Sequence, residues 1–161
     1  LAAMDETIVF QHGESPIPVA LPDDLCMLAI WSGEPASTTG YVAAVHRWRQ
    51  NNPDAYQSHI SDLRSTATEC IAALDKNDSQ RILTRIEQYD RHLERLSSVS
   101  GVNFYNQAHL EMRKKVELAH CAYKPSGAGG GDYGIAYSTD KQELLTLADK
   151  LEREHSDTFA L

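Results

Sequence analysis

The sequence of 161 residues is poor in cysteine, in aromatic residues and in basic charge, and it has no long apolar run. Its three cysteines, Cys26, Cys70 and Cys121, stand far apart with no CxxC pair. That argues against a disulfide framework and against a thiolate zinc site, and they are expected to be reduced thiols of a cytoplasmic protein. No stretch approaches the roughly 20 apolar residues of a membrane span. Residues Leu1 to Glu6 lack the basic-then-apolar order of a secretory leader. Lys and Arg total 15 against 23 Asp and Glu, for a formal net charge of -8. Phosphate backbones are held by clustered Lys and Arg, so neither nucleic acid nor a membrane is expected as partner. The charge balance still leaves room for a small phosphorylated metabolite. The seven histidines are scattered, with no HExxH spacing, and no metal site is expected from them.

What is present divides the chain into strands at its ends and helices between them. Thr7–Gln11 has the β-branched and aromatic character of a strand, ended by the Gly13–Pro18 stretch. Leu25–Trp31 is a continuous apolar run of the length of a buried central strand. Ser37 or Thr38 can cap a first helix through Val42, Val45 and Trp48. Pro53 suits the first turn of a second, whose apolar positions from Tyr56 to Leu74 recur at three- and four-residue steps. Asn77-Asp78-Ser79 breaks it, and a third helix carries Ile82, Ile86, Tyr89, Leu93 and Leu96. Ser97–Asn103 reads as a loop, and a fourth helix spans about Asn106 to Ala119. Arg113, Lys114 and Lys115 on that helix read as a solvated basic face. Ala122–Lys124 and Gly134–Ser138 read as strands, Asp140 as the cap of a last helix through Leu144, Leu147 and Leu151, and Thr158–Leu161 as a closing edge strand. The order predicts an α+β fold: a small, mostly antiparallel sheet with a helical layer on one face, in a single domain spanning 1–161.

Five of the nine glycines fall between Gly127 and Gly134. A packed core has no use for such a cluster. It marks backbone in unusual conformations or in close approach to something, and successive amides there can make an anion-binding hollow. Gly129, Gly131 and Gly134 fit GxGxxG, but the dinucleotide reading fails, because that motif opens a helix and here it leads into the strand-like Ile135-Ala136-Tyr137. There is no GxxxxGK[ST] loop either.

Lys124-Pro125-Ser126-Gly127-Ala128-Gly129-Gly130-Gly131-Asp132 resembles the C-terminal glycine-rich motif of the GHMP kinase superfamily. Its aspartate makes it most similar to the phosphomevalonate kinase family. Trp31-Ser32-Gly33-Glu34-Pro35-Ala36-Ser37-Thr38 is similar to a second motif of that family, about ninety residues earlier and in the right order.

The resemblance implies a chain that is the C-terminal half of a two-domain kinase, with the main nucleotide loop and catalytic base in a missing N-terminal kinase domain. Asp5, the nearest acid to where the family has its base, does not match cleanly and is not taken as the base. In the complete enzyme the implied cofactors are ATP and Mg, and the implied reaction moves the γ-phosphate of ATP to 5-phosphomevalonate. The implied phosphate-binding residues are Lys124, Ser126, Gly127, Ala128, Gly129, Gly130, Gly131 and Asp132, with Ser37 and Thr38 at a helix start; Gly101 and Val102 would line the same cleft. Each has a plainer reading: a flexible hairpin loop, a turn aspartate that steadies it, and ordinary N-caps. Two alternatives stand beside this one: a different GHMP small-molecule kinase, acting on mevalonate or a sugar, or a non-catalytic binding module of the same fold.

Overall fold

The computed structural model describes residues 7–11, 13–127, 129–154 and 158–160, with the backbone alone at 159 and 160. Asp5, Ala128 and Leu161 therefore lie outside the described residues. Along the chain come β1 (Ile8–Val9), β2 (Ile17–Pro18), β3 (Cys26–Trp31), α1 (Thr38–Asn51), α2 (Pro53–Leu74), α3 (Ser79–Ser100), α4 (Gln107–Leu118), β4 (Ala122–Pro125), β5 (Tyr133–Ser138), α5 (Lys141–Arg153) and β6 (Thr158–Ala160).

The main sheet has the order β4-β5-β3-β6, with every neighbouring pair antiparallel. The apolar run Cys26–Trp31 is an inner strand, as its lack of polar positions requires. Strand pleating sends Leu28, Ile30, Tyr123 and Ala136 to one face, where they meet Met112 and Val116 of α4 and Leu144, Leu147 and Leu151 of α5. The opposite face at the β4 edge presents Ala122 and Tyr137 to Ala73 of α2 and Ile82 and Ile86 of α3. The α+β fold with its small antiparallel sheet and helical layer is as the sequence predicts, but the helices cover both faces. The long α2–α3 hairpin reaches round the β4 edge, which the alternation Ala122/Tyr123 allows and a one-sided layer would not.

Two boundaries differ from the sequence expectation. Thr7–Gln11 shortens to β1, which pairs with Ile17–Pro18 in a separate two-stranded hairpin, although that stretch reads as a strand terminator. Pro18 is tolerated there because such a small ribbon is all edge. Helix α3 runs on through Ser97 to Ser100, where a loop is expected. The Ser100 hydroxyl donates to the Leu96 carbonyl at 2.6 Å, and Gly101 closes the helix in the left-handed conformation at φ 67°.

Asn77-Asp78-Ser79 does break the hairpin: Asp78 accepts the Arg81 amide as N-cap of α3. Asp140 caps α5 by accepting from Gln142 and Glu143. The cysteines are unpaired, with Cys121 buried and Cys26 and Cys70 half-buried. No helix among the described residues is long and apolar enough to cross a membrane.

Candidate functional site

The glycine loop links β4 to β5, and the strand ladder fixes where it starts and stops: Pro125 pairs with Gly134, and the Ser126 amide donates to the Tyr133 carbonyl at 2.8 Å. Between these points the loop folds back onto the Trp31–Thr38 segment. Asp132 makes three bonds to it. Its carbonyl accepts from the Ser32 amide (2.8 Å), its amide donates to the Glu34 carbonyl (2.7 Å), and its Oδ1 accepts from the Ala36 amide (3.1 Å). Asp132 holds φ 57°, a conformation that short polar side chains tolerate better than most. The carboxylate whose purpose the sequence leaves open thus ties the two motifs together across the inner end of the sheet.

The amides that look available in sequence are largely committed. Gly130 donates to the Phe104 carbonyl at 2.7 Å, Asp132 to the Glu34 carbonyl, and Gly129 makes a long contact of 3.5 Å to the Ser126 carbonyl. Gly130 and Asp132 therefore buttress the loop through their amides rather than turn them outward. The Ser126–Gly127 end is different: Gly127 is exposed and Ser126 half-buried. Ala128 belongs to the undescribed residues.

Helix α1 begins beside this loop. Ser37 stands at its N-cap position, but its side chain makes no capping bond, and Ser37 and Thr38 are both exposed. The plain capping role expected of Ser37 is thus not made, which leaves a bare helix N-terminus, where amides and dipole favour an anion. The Tyr41 hydroxyl, one turn on, donates to the Gly130 carbonyl at 3.4 Å.

Lys124 is set apart from these groups. Its Nζ donates to the Pro125 carbonyl at 2.7 Å and lies 5.8 Å from the centroid of the Tyr89 ring, in a groove between α2 and α3. Gly101 caps α3, and Val102 is buried in a core with Leu63, Leu96, Phe104 and Tyr105, so neither lines a cleft with the loop. Arg113 is not a solvated basic residue: it pairs with Asp90 at 3.3 Å and Glu94 at 2.7 Å.

Sequence reasoning missed His109 and Asn106. Asn106 is the N-cap of α4, accepting the His109 amide at 3.0 Å, and its Nδ2 donates to the Gly130 carbonyl at 3.1 Å and to Glu34 at 2.9 Å. An asparagine just before an apolar-periodic segment is a capping signal; nothing in the sequence says its amide would also reach the loop. His109 is fully buried. Its Nε2 lies 2.9 Å from the Gly131 carbonyl, and its Nδ1 meets the Tyr123 hydroxyl. In the tautomer protonated at Nε2, the ring donates to Gly131 and accepts from Tyr123, so both nitrogens are satisfied without charge. Burial lowers the His109 pKa, while the Gly131 contact and Asp132 oppose the shift. Burial likewise raises the Tyr123 pKa.

Among the described residues no group of three or more His, Cys, Asp or Glu is placed to hold a metal ion. Oδ1 of Asp132 is already engaged by Ala36.

Comparison with known proteins bears on the family and the fold. No protein-family model matches the chain. A phosphomevalonate kinase of Streptomyces sp. (strain CL190) is 31% identical over 124 residues, covering 77% of this chain and 33% of that protein. The Lin0012 protein from Listeria innocua superposes with a TM-score of 0.84 at 26% identity, over 90% of this chain and 41% of its own. Phosphomevalonate kinase of Streptococcus pneumoniae, solved in complex with phosphomevalonate and AMPPNP, superposes with a TM-score of 0.74 at 24% identity, over 91% of this chain and 43% of its own.

The chain belongs with the C-terminal domains of the GHMP kinases and is most like that of phosphomevalonate kinase. It spans about a third of the length of the curated relative it matches. As a GHMP kinase-like domain, it has its sequence motifs on one shared scaffold: the glycine loop, the segment before α1, and the α4 N-terminus that braces them.

Proposed function

We propose that this GHMP domain is one half of a two-domain, ATP-dependent phosphomevalonate kinase of the cytoplasm, and that it is inert alone. The observation that carries the reading is the Asp132 tie. It sets the bare start of α1 against the glycine loop, two features that each favour negative charge. The likeness to phosphomevalonate kinases supports the substrate, and the complex with AMPPNP in one of them supports ATP.

Phosphoryl transfer rests on positioning and charge stabilisation more than on covalent chemistry by the protein. ATP, when bound, supplies the γ-phosphoryl group. In this reading the Ser126 hydroxyl and the Gly127 end of the loop donate to a phosphate, and the α1 N-terminus at Ser37 and Thr38 attracts it. Gly129, Gly130, Gly131 and Asp132 hold the loop's shape. The base, the metal ligands and the main nucleotide loop would come from an N-terminal kinase domain.

One observation favours the second reading, a binding module without transfer of its own: the Ser126, Gly130 and Asp132 amides of the loop are spent inside the protein.

Two measurements separate these readings. A blot of the source cells is expected to show a native protein more than twice the 17.9 kDa of this chain. A band at 17.9 kDa overturns the two-domain account. The complete protein is expected to release ADP with 5-phosphomevalonate and not with mevalonate or galactose, while the isolated chain releases none. Turnover with mevalonate or a sugar in preference assigns a different GHMP kinase, and no turnover with any of them favours the binding module.

A further inference from the structure

The Lys124 ammonium touches the glycine loop only at its β4 end, through the Pro125 carbonyl. The pleat of β4 turns it from Tyr123 toward α2 and α3. An ammonium has three donors, and one of them goes to the Pro125 carbonyl. No ion pair joins Lys124 to a carboxylate among the described residues. Burial lowers its pKa, as it does for a cation drawn out of water, with Asp90 opposing the shift.

Beside it, between α2 and α3, opens a cavity of about 230 Å³. Its walls are almost wholly carbon: Ala67 and Ile71 from α2, Ile86 and Tyr89 from α3. Ile71 is 36% exposed. Arg85 also lines the cavity and is paired with Glu69 at 3.3 Å; no acidic side chain lines it. A neutral apolar guest would leave the ammonium without its water. A bare inorganic anion would leave the carbon walls wet, forgoing about 25 cal/mol for each Å² they could bury. Only a guest that joins a negative head to a hydrocarbon body satisfies both. The volume lies below the roughly 300–1,000 Å³ of drug-sized sites, so that body is a few carbons long.

We propose that this cavity is a second ligand site, separate from the glycine loop, which takes a small organic anion with its head on Lys124 and its hydrocarbon body against Ala67, Ile71 and Ile86.

The test titrates the protein with hexanoate, with 1-hexanol and inorganic phosphate as the paired probes. Binding is read from the methyl resonances of Ile71 and Ile86 and the ε-methylene of Lys124. Hexanoate is expected to shift all three saturably, hexanol to bind about tenfold more weakly or worse, and phosphate to leave the methyls unmoved. Lys124→Met, which keeps the stem and removes the charge, is expected to weaken hexanoate by about tenfold or more. The proposal is overturned if hexanoate gives no saturable shift, if hexanol binds as well, or if Lys124→Met binds hexanoate unchanged. Should that variant not fold, the wild-type protein decides. Cys70 lines the cavity, and hexanoate is expected to slow its maleimide labelling while leaving Cys26 unaffected. Equal Cys70 labelling with and without hexanoate also overturns the proposal.

Discussion

Oδ1 of Asp132 accepts the backbone N–H of Ala36, 96 residues earlier in the chain, at 3.1 Å. This bond joins the two sequence motifs that mark the family. Removing it strands a half-buried amide, so Asp132→Ala is expected to cost about 1–3 kcal/mol. Asp132→Asn keeps an acceptor and tolerates φ 57°, and should cost much less. Denaturant midpoints of the two variants check this. Equal losses would mean that charge rather than the Ala36 bond sets the tie.

The loop's glycines differ in what a methyl group would meet. At Gly127, φ 63°, a Cβ meets nothing within 4 Å, and at Gly129, φ 70°, it would come 2.5 Å from the Phe104 carbonyl oxygen. Gly127→Ala should therefore lose only the left-handed backbone cost, about 1–2 kcal/mol. Gly129→Ala adds a clash with backbone that cannot swing aside, and its unfolding midpoint should fall further. A reversed order would mean the loop does not pack on Phe104.

If the open Ser126 end of the loop donates to a phosphate, the complete enzyme should register its loss. A hydrogen bond to a charged group contributes roughly 1.5–3 kcal/mol, so Ser126→Ala should lower kcat/KM by about 10- to 100-fold. The same variant should barely move the unfolding midpoint of the isolated chain. An unchanged kcat/KM would remove Ser126 from the phosphate contacts.

His109 gives the loop a pH dependence of known sign. Its folded pKa lies below the ordinary 6.5, so the unfolded chain takes up the proton first. Its contribution is complete above the unfolded value and falls away as pH drops below about 6.5. His109→Gln can still donate to the Gly131 carbonyl but cannot titrate. Stability of the wild type should decline between pH 7 and 5.5, and the variant's profile should be flatter across that window. Parallel profiles would show that His109 is not the group protonated there.

The element types were legible from periodicity and caps, as with Pro53 opening α2, Asp140 capping α5 and the apolar run of β3. The two motifs were legible as a family resemblance, but not the bond from the Ala36 amide to Asp132 that joins them. What was not legible is tertiary. Nothing local to Lys124 says that the pleat turns it from the loop, and nothing near Gly130 says that Phe104 takes its amide. His109 shares the buried face of α4 with Met112 and Val116, and its role appears only when β4 brings up Tyr123 and the loop brings up Gly131. Arg113 next to Lys114 and Lys115 looks solvated until α3 supplies two acids.

That last cluster makes the sharpest stability prediction. The Asp90 side chain is 7% exposed and that of Arg113 17%. Burial pushes the Asp90 pKa up, and the Tyr105 hydroxyl and Arg113 hold it down. Removing one partner of a buried pair strands the other charge, at a cost of roughly 3–5 kcal/mol. Arg113→Met deprives Asp90 of its cation and exposes the stacking face of Tyr105, over which the guanidinium lies 5.2 Å from the ring centroid. Asp90→Asn should cost less, because Arg113 keeps its two-pronged bond to Glu94 and the amide oxygen can still accept from Tyr105. Denaturant unfolding should thus rank Arg113→Met well below Asp90→Asn. In the double variant the neutral pair should recover part of the Arg113→Met loss, since no buried carboxylate is left unpaired. Strict additivity of the two losses would show that Asp90 and Arg113 do not depend on each other.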